Sequence, residues 1–329
     1  FTWKEVGSFG NAPNPTTGLG RVTHDYKISA YDTTISQYVD FLNNSYAGKQ
    51  GLYGVWNSSI GGTQQNQTEN GTAISRTLSG GTYTYALTNS SYANKPVNFV
   101  NWFSAARFVN WYANGQSGAA TATETGSYTL NGATTGNIVA RNAGAQIFLP
   151  SADEWTKAAF YNPAGQNYYL WPTQSNTAPT AVLPTGNGTV ETANTANFRG
   201  DRGAFDTRMT NVGTYVNTTS TYGLFDMLGN VTQMTDTAGT GSNANRFEAF
   251  GGSFQTTTAQ LGTWNSNSTG EFRLGAPSAT EGLGAAAVGF RVAAVAVPEP
   301  GNMVAAAMGI GGLIAFQLAK RRKLALARA

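Results

Sequence analysis

Cysteine is absent from the chain, so no disulfide, thiolate nucleophile or Cys metal site is available to it. Histidine occurs once, as His24, which excludes a metal centre built from several imidazoles. Charge is scarce as well: Asp, Glu, Lys and Arg together make 11% of 329 residues. The formal net charge of +3 is concentrated at one end, where Lys320, Arg321, Arg322, Lys323 and Arg328 fall in the last ten residues; without those five the rest carries about −2. A nucleic-acid footprint needs basic side chains clustered on the folded part, so no nucleic-acid partner is expected.

What the chain has instead is 40 glycines, 12% aromatic residues and an abundance of Asn, Thr, Ser and Ala. This is not the charge-rich, aromatic-poor composition of a disordered chain. It suits a loop-rich globular protein whose surface is covered by hydroxyls and amides. The length admits one large domain or two ordinary ones, each with a real core. The sequence begins on Phe1 with no apolar leader, as expected of a mature exported chain after removal of a signal peptide.

Periodicity and capping signals place the regular elements. Val22 to Asp32 alternates as a strand. Thr33 or Thr34 then caps a helix carrying Ile35, Tyr38, Val39, Phe41 and Leu42 at helical spacing. Asn43 to Asn94 is polar and Gly-rich, with a strand-like Thr82 to Leu87, and is expected to lie on the surface as a long functional insert. A second helix follows Trp102 and stops near Asn114-Gly115. Ser151 and Glu154 form a capping box that starts a third helix, which runs to about Tyr161 before Pro163. Val288 to Val292 reads as the last core strand.

The pattern places Tyr222-Gly-Leu-Phe-Asp-Met-Leu-Gly-Asn-Val-Thr-Gln-Met-Thr-Asp236 at the centre of the chain's organisation, as a buried turn with polar anchors. Backbone carbonyls that leave regular structure inside a core need partners, and a hard cation held by carbonyls and a carboxylate is one solution. Asp226, the carbonyls near Gly229 and Val231, and the Gln233 side chain are candidate ligands. The alternative is that Asp226 and Asn230 only hydrogen-bond neighbouring amides.

In order, the chain carries Thr34 to Tyr38, Pro96 to Trp102, Phe148-Leu-Pro-Ser-Ala-Asp-Glu-Trp155, Tyr222 to Val231, Phe250-Gly-Gly-Ser-Phe254 and Gly289-Phe-Arg291. This succession resembles the formylglycine-generating-enzyme/sulfatase-modifying-factor family, over roughly Phe1 to Ala294. The resemblance implies an α+β domain of C-type-lectin-like fold, with short strands and a few helices in a loop-rich chain, spanning residues 1–296. The departures bear on chemistry. In the oxidase branch two cysteines after the Gly-Gly-Ser motif bind copper; the matching positions here are Thr256 and Leu261, which lack a soft thiolate. Related iron-dependent members need histidines missing here. Neither copper nor iron is expected, nor the family's known catalysis.

Calcium is the one cofactor the resemblance leaves open. One ligand set corresponds to Asp226, Gly229, Val231 and Gln233, where the family usually has Glu at the last position; the neutral amide implies a weaker or empty site. The other corresponds to Asn197, the Phe198 carbonyl, Asp206 and the Arg208 carbonyl.

Residues 297–329 resemble a PEP-CTERM sorting segment: Pro298-Glu299-Pro300, an apolar run from Met303 to Ala319, then a basic cluster with Arg321 and Arg322. At ~1.5 Å per residue the apolar run spans about 25 Å, slightly short of a ~30 Å hydrocarbon core. The resemblance implies an exosortase-like processing enzyme as partner, a transient membrane anchor, and delivery to the surface or extracellular matrix of a Gram-negative bacterium.

Asp153 and Glu154 are neighbours on a helix, with capping the expected role of Glu154 rather than acid/base work. His24 has no identifiable partner. Sequons begin at Asn43, Asn57, Asn66, Asn70, Asn89, Asn187, Asn217, Asn230 and Asn267, and exposed ones are candidates for glycans. Tyr53, Trp56, Tyr168, Tyr169, Trp171 and Trp264 are candidates for a sugar- or protein-binding surface, with core packing expected for at least half. The expectation is a non-catalytic secreted or cell-surface protein that is structural, adhesive or ligand-binding. It would meet envelope polysaccharide or protein and self-assemble; an envelope enzyme with altered chemistry is the alternative.

Overall fold

The computed structural model describes residues 1–48, 52–61, 73–119, 121–202, 208–239, 246–267, 271–274 and 287–296. The chain opens with antiparallel β1 (Trp3–Val6) and β2 (Tyr26–Ser29). β2 is shorter than the alternation from Val22 to Asp32 suggests. After Ser29 the backbone leaves the ladder, the Thr33 N–H bonds to the Phe290 carbonyl, and Asp32 is carried into the core.

Helix α1 (Ile35–Tyr46) starts at Thr34, whose hydroxyl accepts from the Gln37 amide while the Gln37 side chain accepts from the Thr34 N–H at 2.9 Å. Its stripe of Ile35, Tyr38, Phe41 and Leu42 is buried. The hairpin of β3 (Ile74–Ser79) and β4 (Thr82–Leu87) packs on that helix. Asn43 clamps it, donating to the Tyr85 carbonyl at 2.7 Å and accepting from the Tyr85 N–H at 2.8 Å. The described part of the expected surface insert therefore extends the core, with Val55, Ile60, Ile74, Tyr83 and Tyr85 all buried.

Helix α2 (Trp102–Ala113) is capped by Asn101 and ends at Asn114. After β5 (Ile147–Phe148), helix α3 (Ala152–Phe160) begins with the reciprocal Ser151–Glu154 cap and buries Trp155. Short pairs follow: β6 (Tyr161–Asn162) with β7 (Asn167–Tyr168), and β8 (Thr180–Ala181) with β9 (Thr195–Ala196).

The last segment supplies β10 (Thr232–Ala238), β11 (Arg246–Phe250), the single turn α4 (Thr258–Leu261), β12 (Glu271–Leu274), β13 (Val288–Phe290) and β14 (Ala293–Val295). One sheet has the order β1-β2-β14-β5, the other β12-β11-β10-β13. The expected Val288 to Val292 strand is thus divided, β13 pairing parallel with β10 in one sheet and β14 antiparallel with β2 in the other. Helices and short strands share one continuous apolar core, as expected for an α+β fold. The register Gln233↔Gly289 needs glycine, because a Cβ on Gly289 would lie 2.5 Å from the Val97 carbonyl oxygen.

Candidate functional site

The crossing from β13 to β14 directs Arg291 into the interior, where its side chain is wholly buried. Its Nε donates to Gln233 Oε1 at 2.7 Å, Nη1 to the Ser29 carbonyl at 2.9 Å, and Nη2 to the Phe225 carbonyl at 2.8 Å and to Asp32 Oδ1 at 3.2 Å. Gln233 also accepts from Trp155 Nε1 at 2.7 Å and donates to the Asp226 carbonyl at 2.6 Å. One guanidinium thus ties β2, the 222–236 turn, α3 and β10 together. Burial pushes the Asp32 carboxyl up to about 8 against the opposing pull of Arg291.

The turn itself closes on Asn197. Gly229 sits in the left-handed region at φ 81°, and a Cβ there would lie 2.3 Å from the Asn197 carbonyl oxygen. That carbonyl accepts from the Asn230 N–H at 2.8 Å. The Asn230 side chain accepts from Asn197 Nδ2 at 3.2 Å and the Thr210 N–H at 3.1 Å, and donates to the Thr210 carbonyl at 3.2 Å. Asn230 is fully buried, so its sequon is closed to glycosylation in the folded chain.

The two candidate calcium sets differ. Asp226, Gly229, Val231 and Gln233 come together in one turn, but they do not fit a cation. Both ends of the Gln233 amide are engaged by protein, and its N–H points at the Asp226 carbonyl. The Asp226 carboxylate accepts from the Gly213 N–H at 2.7 Å, and burial pushes it up to about 6. In the other set Asn197 Oδ1 is buried without a donor, while the Phe198 carbonyl accepts from the Arg202 guanidinium and the Arg208 carbonyl from Asn197 Nδ2 at 2.9 Å. Asp206 lies outside the described residues. Only one described oxygen of that set is left for an ion.

The positions matching the oxidase cysteines are closed. Thr256 is buried with its hydroxyl accepting from the Ser253 N–H at 2.9 Å. Leu261 packs with Trp171, Ala196, Phe198 and Leu228. The sorting residues Pro298, Glu299, Pro300, Arg321 and Arg322 and the apolar run between them lie outside the described residues.

Glu154 does more than cap α3. It accepts from His24 Nε2 at 3.1 Å and, at both oxygens, from Arg141, whose Nε also bonds Asp236 at 2.7 Å. Burial would raise its carboxyl, but the His24 and Arg141 hydrogen bonds outweigh burial and hold it down near 2. His24 therefore has a partner, which sequence reasoning missed because 130 residues separate the two. Asp153 points elsewhere, accepting from the Gly20 N–H at 2.7 Å.

The aromatic candidates do not form one surface. Trp171 is core, Tyr168 donates to loop carbonyls of Ala12 and Gly20, Tyr53 lies under the Arg107 guanidinium and Trp56 under that of Arg76, each at 4.0 Å. Tyr169 is half-buried, and the Trp264 side chain is outside the described set. The feature that sequence reasoning did not find is a cleft of about 720 Å³ between the Ser29–Gln37 segment, Asn94, residues 187–189 and residues 211–214.

Two small sheets, one antiparallel and one mixed, joined by a buried Arg–Gln hub, with a Gly-Asn turn closing on Asn197, define a domain of the sulfatase-modifying-factor type. The chain belongs to the family of the Sulfatase-modifying factor enzyme 1-like domain, whose profile matches residues 6–296. Among solved structures it is similar to CarF, at 14% identity and a TM-score of 0.56, over 90% of this chain and 98% of that one. It is also similar to Treponema denticola variable protein 1 (15%, TM-score 0.49, 89% and 95% covered) and to PvdO from Pseudomonas aeruginosa (14%, 0.44, 90% and 93%). At 14% identity the likeness to CarF shows the fold alone. No curated protein matches the chain.

Proposed function

We propose that this chain is a non-catalytic member of its family, a secreted or cell-surface protein serving as a structural, adhesive or ligand-binding component of the bacterial envelope or matrix. The observation that carries this reading is the pair Thr256 and Leu261: a hydroxyl capped by the Ser253 amide and an alkyl group packed in an apolar cluster. Neither supplies a thiolate for copper. The sequence at 297–329 supports export to a Gram-negative cell surface, with an exosortase-like enzyme acting on the Pro298-Glu299-Pro300 segment and the apolar run holding the membrane beforehand. A low-charge surface rich in hydroxyls and amides supports contact with envelope polysaccharide, a protein ligand or further copies of the chain.

The test is to supply purified protein with copper and a cysteine peptide and to follow oxygen uptake and formylglycine formation. No turnover above buffer is expected. Clear turnover overturns the reading in favour of an envelope enzyme with altered chemistry.

A further inference from the structure

We propose that the cleft walled by Tyr31, Gln37, Asn94, Asn187 and Asn211 binds a neutral saccharide. The inference rests on the binding branch of the function proposed above and names its ligand class. A cleft of about 720 Å³ falls within the ~300–1,000 Å³ typical of small-molecule sites, room for about two or three sugar units.

Charge narrows the ligand. No Lys or Arg side chain lines the cleft, so no basic side chain in its wall matches a phosphate or a uronic acid. Its one acidic side chain, Asp32, is already paired with Arg291 at 3.2 Å, with both side chains out of solvent. What remains is neutral hydrogen-bonding capacity. Among the described residues, the side chains of Asn94 and Asn187 and the Gln37 amide nitrogen make no hydrogen bond, and Asn211 Oδ1 is buried with no donor. Core amides behave differently: Asn110 and Asn230 use both ends. A carboxamide presents a donor and an acceptor side by side, which matches a pair of adjacent sugar hydroxyls.

An apolar platform is also present. Tyr31 is half-exposed and stacks on Phe225 with centroids 5.1 Å apart and 19° between the rings. Its other support is Gly213, where a Cβ would lie 2.6 Å from Tyr31 Cε1. A ring fixed in this way can meet a pyranose in the cleft without further loss of side-chain entropy.

Saturation-transfer NMR and calorimetry of the full chain with cellotriose, maltotriose and chitotriose test the site, with trigalacturonate and inorganic phosphate as charged comparators. At least one neutral trisaccharide should bind, and Asn187→Ala or Asn211→Ala should weaken it by ~10-fold at unchanged Tm. The exposed Leu78→Ser should leave binding as it was. Asn187 is fully on the surface, so its variant separates loss of binding from loss of fold. Absence of transfer from all three sugars, transfer that survives both variants, or preference for a charged comparator overturns the proposal. The turnover assay above fails or holds independently of it.

Discussion

The Nε of Arg291 donates to Gln233 Oε1 at 2.7 Å, and neither side chain meets solvent. At the position where the family resemblance implies a glutamate, this chain places an amide that receives two donors and gives one to the Asp226 carbonyl. The turn is therefore closed by protein groups.

Replacing Gln233 by Leu leaves Trp155 Nε1, Arg291 Nε and the Asp226 carbonyl buried without these partners. At roughly 1–3 kcal/mol for each unmet buried group, stability should fall by at least ~3 kcal/mol. Urea denaturation measures it. A loss under ~1 kcal/mol would mean that water replaces the amide freely.

Gly229→Ala places a methyl 2.3 Å from the Asn197 carbonyl oxygen at a φ of 81°. Strain and clash together should cost ~3 kcal/mol or more, seen as a large drop in Tm or failure to fold. Gly80, in the exposed β3–β4 turn, has open space around it despite its φ of 57°. Its Ala variant should cost only about 1 kcal/mol, which separates the clash from the backbone strain.

Stability should peak on the acid side of neutral. Burial raises Asp226 to about 6 and Asp32 to about 8, so the folded state holds these protons more tightly than the unfolded one. Their effect is to stabilise the fold as pH falls from 8 towards 4. Glu154 acts in the opposite sense: its carboxyl is held near 2, against an ordinary 4.5, so its contribution is present above 4.5 and lost as pH falls towards 2. Tm measured across pH 3 to 8 should rise from 8 to about 5 and fall below about 4.5. Glu154→Gln should flatten the acid limb, and a Tm that falls steadily from pH 8 to 5 would contradict the assignment.

Chelation addresses the calcium sets. With Gln233 engaged and one described oxygen left at Asn197, EDTA should move Tm by less than about 2 °C, and adding calcium should restore nothing. A larger shift that calcium reverses would place an ion at the Asn197 set.

Local signals made much of the fold legible. The caps at Thr34 and Ser151 act within a few residues of their partners, and two helices begin where those residues stand; the Asn101 cap of α2 is seen only in the structure. What sequence reading missed depends on distant pairing. The β3–β4 hairpin joins the core through Asn43 and its buried tyrosines, although its composition resembles a surface loop. Arg141 reaches Glu154 and Asp236 across 13 and 95 residues, and no periodicity signals such a bridge. The turn at 222–236 was visible as a unit, but the hub depends on Arg291 meeting it through the parallel β10–β13 pairing. The saccharide cleft draws on segments spread from Phe1 to Thr214, each unremarkable alone.

The central claim, that the family's thiol and copper chemistry has no place at Thr256 and Leu261, is tested most directly by titrating copper(I) against a chromophoric chelator. The unaltered chain should take no copper from the chelator, while the Thr256→Cys/Leu261→Cys double variant should compete for it. Stoichiometric copper uptake by the unaltered chain would contradict the claim.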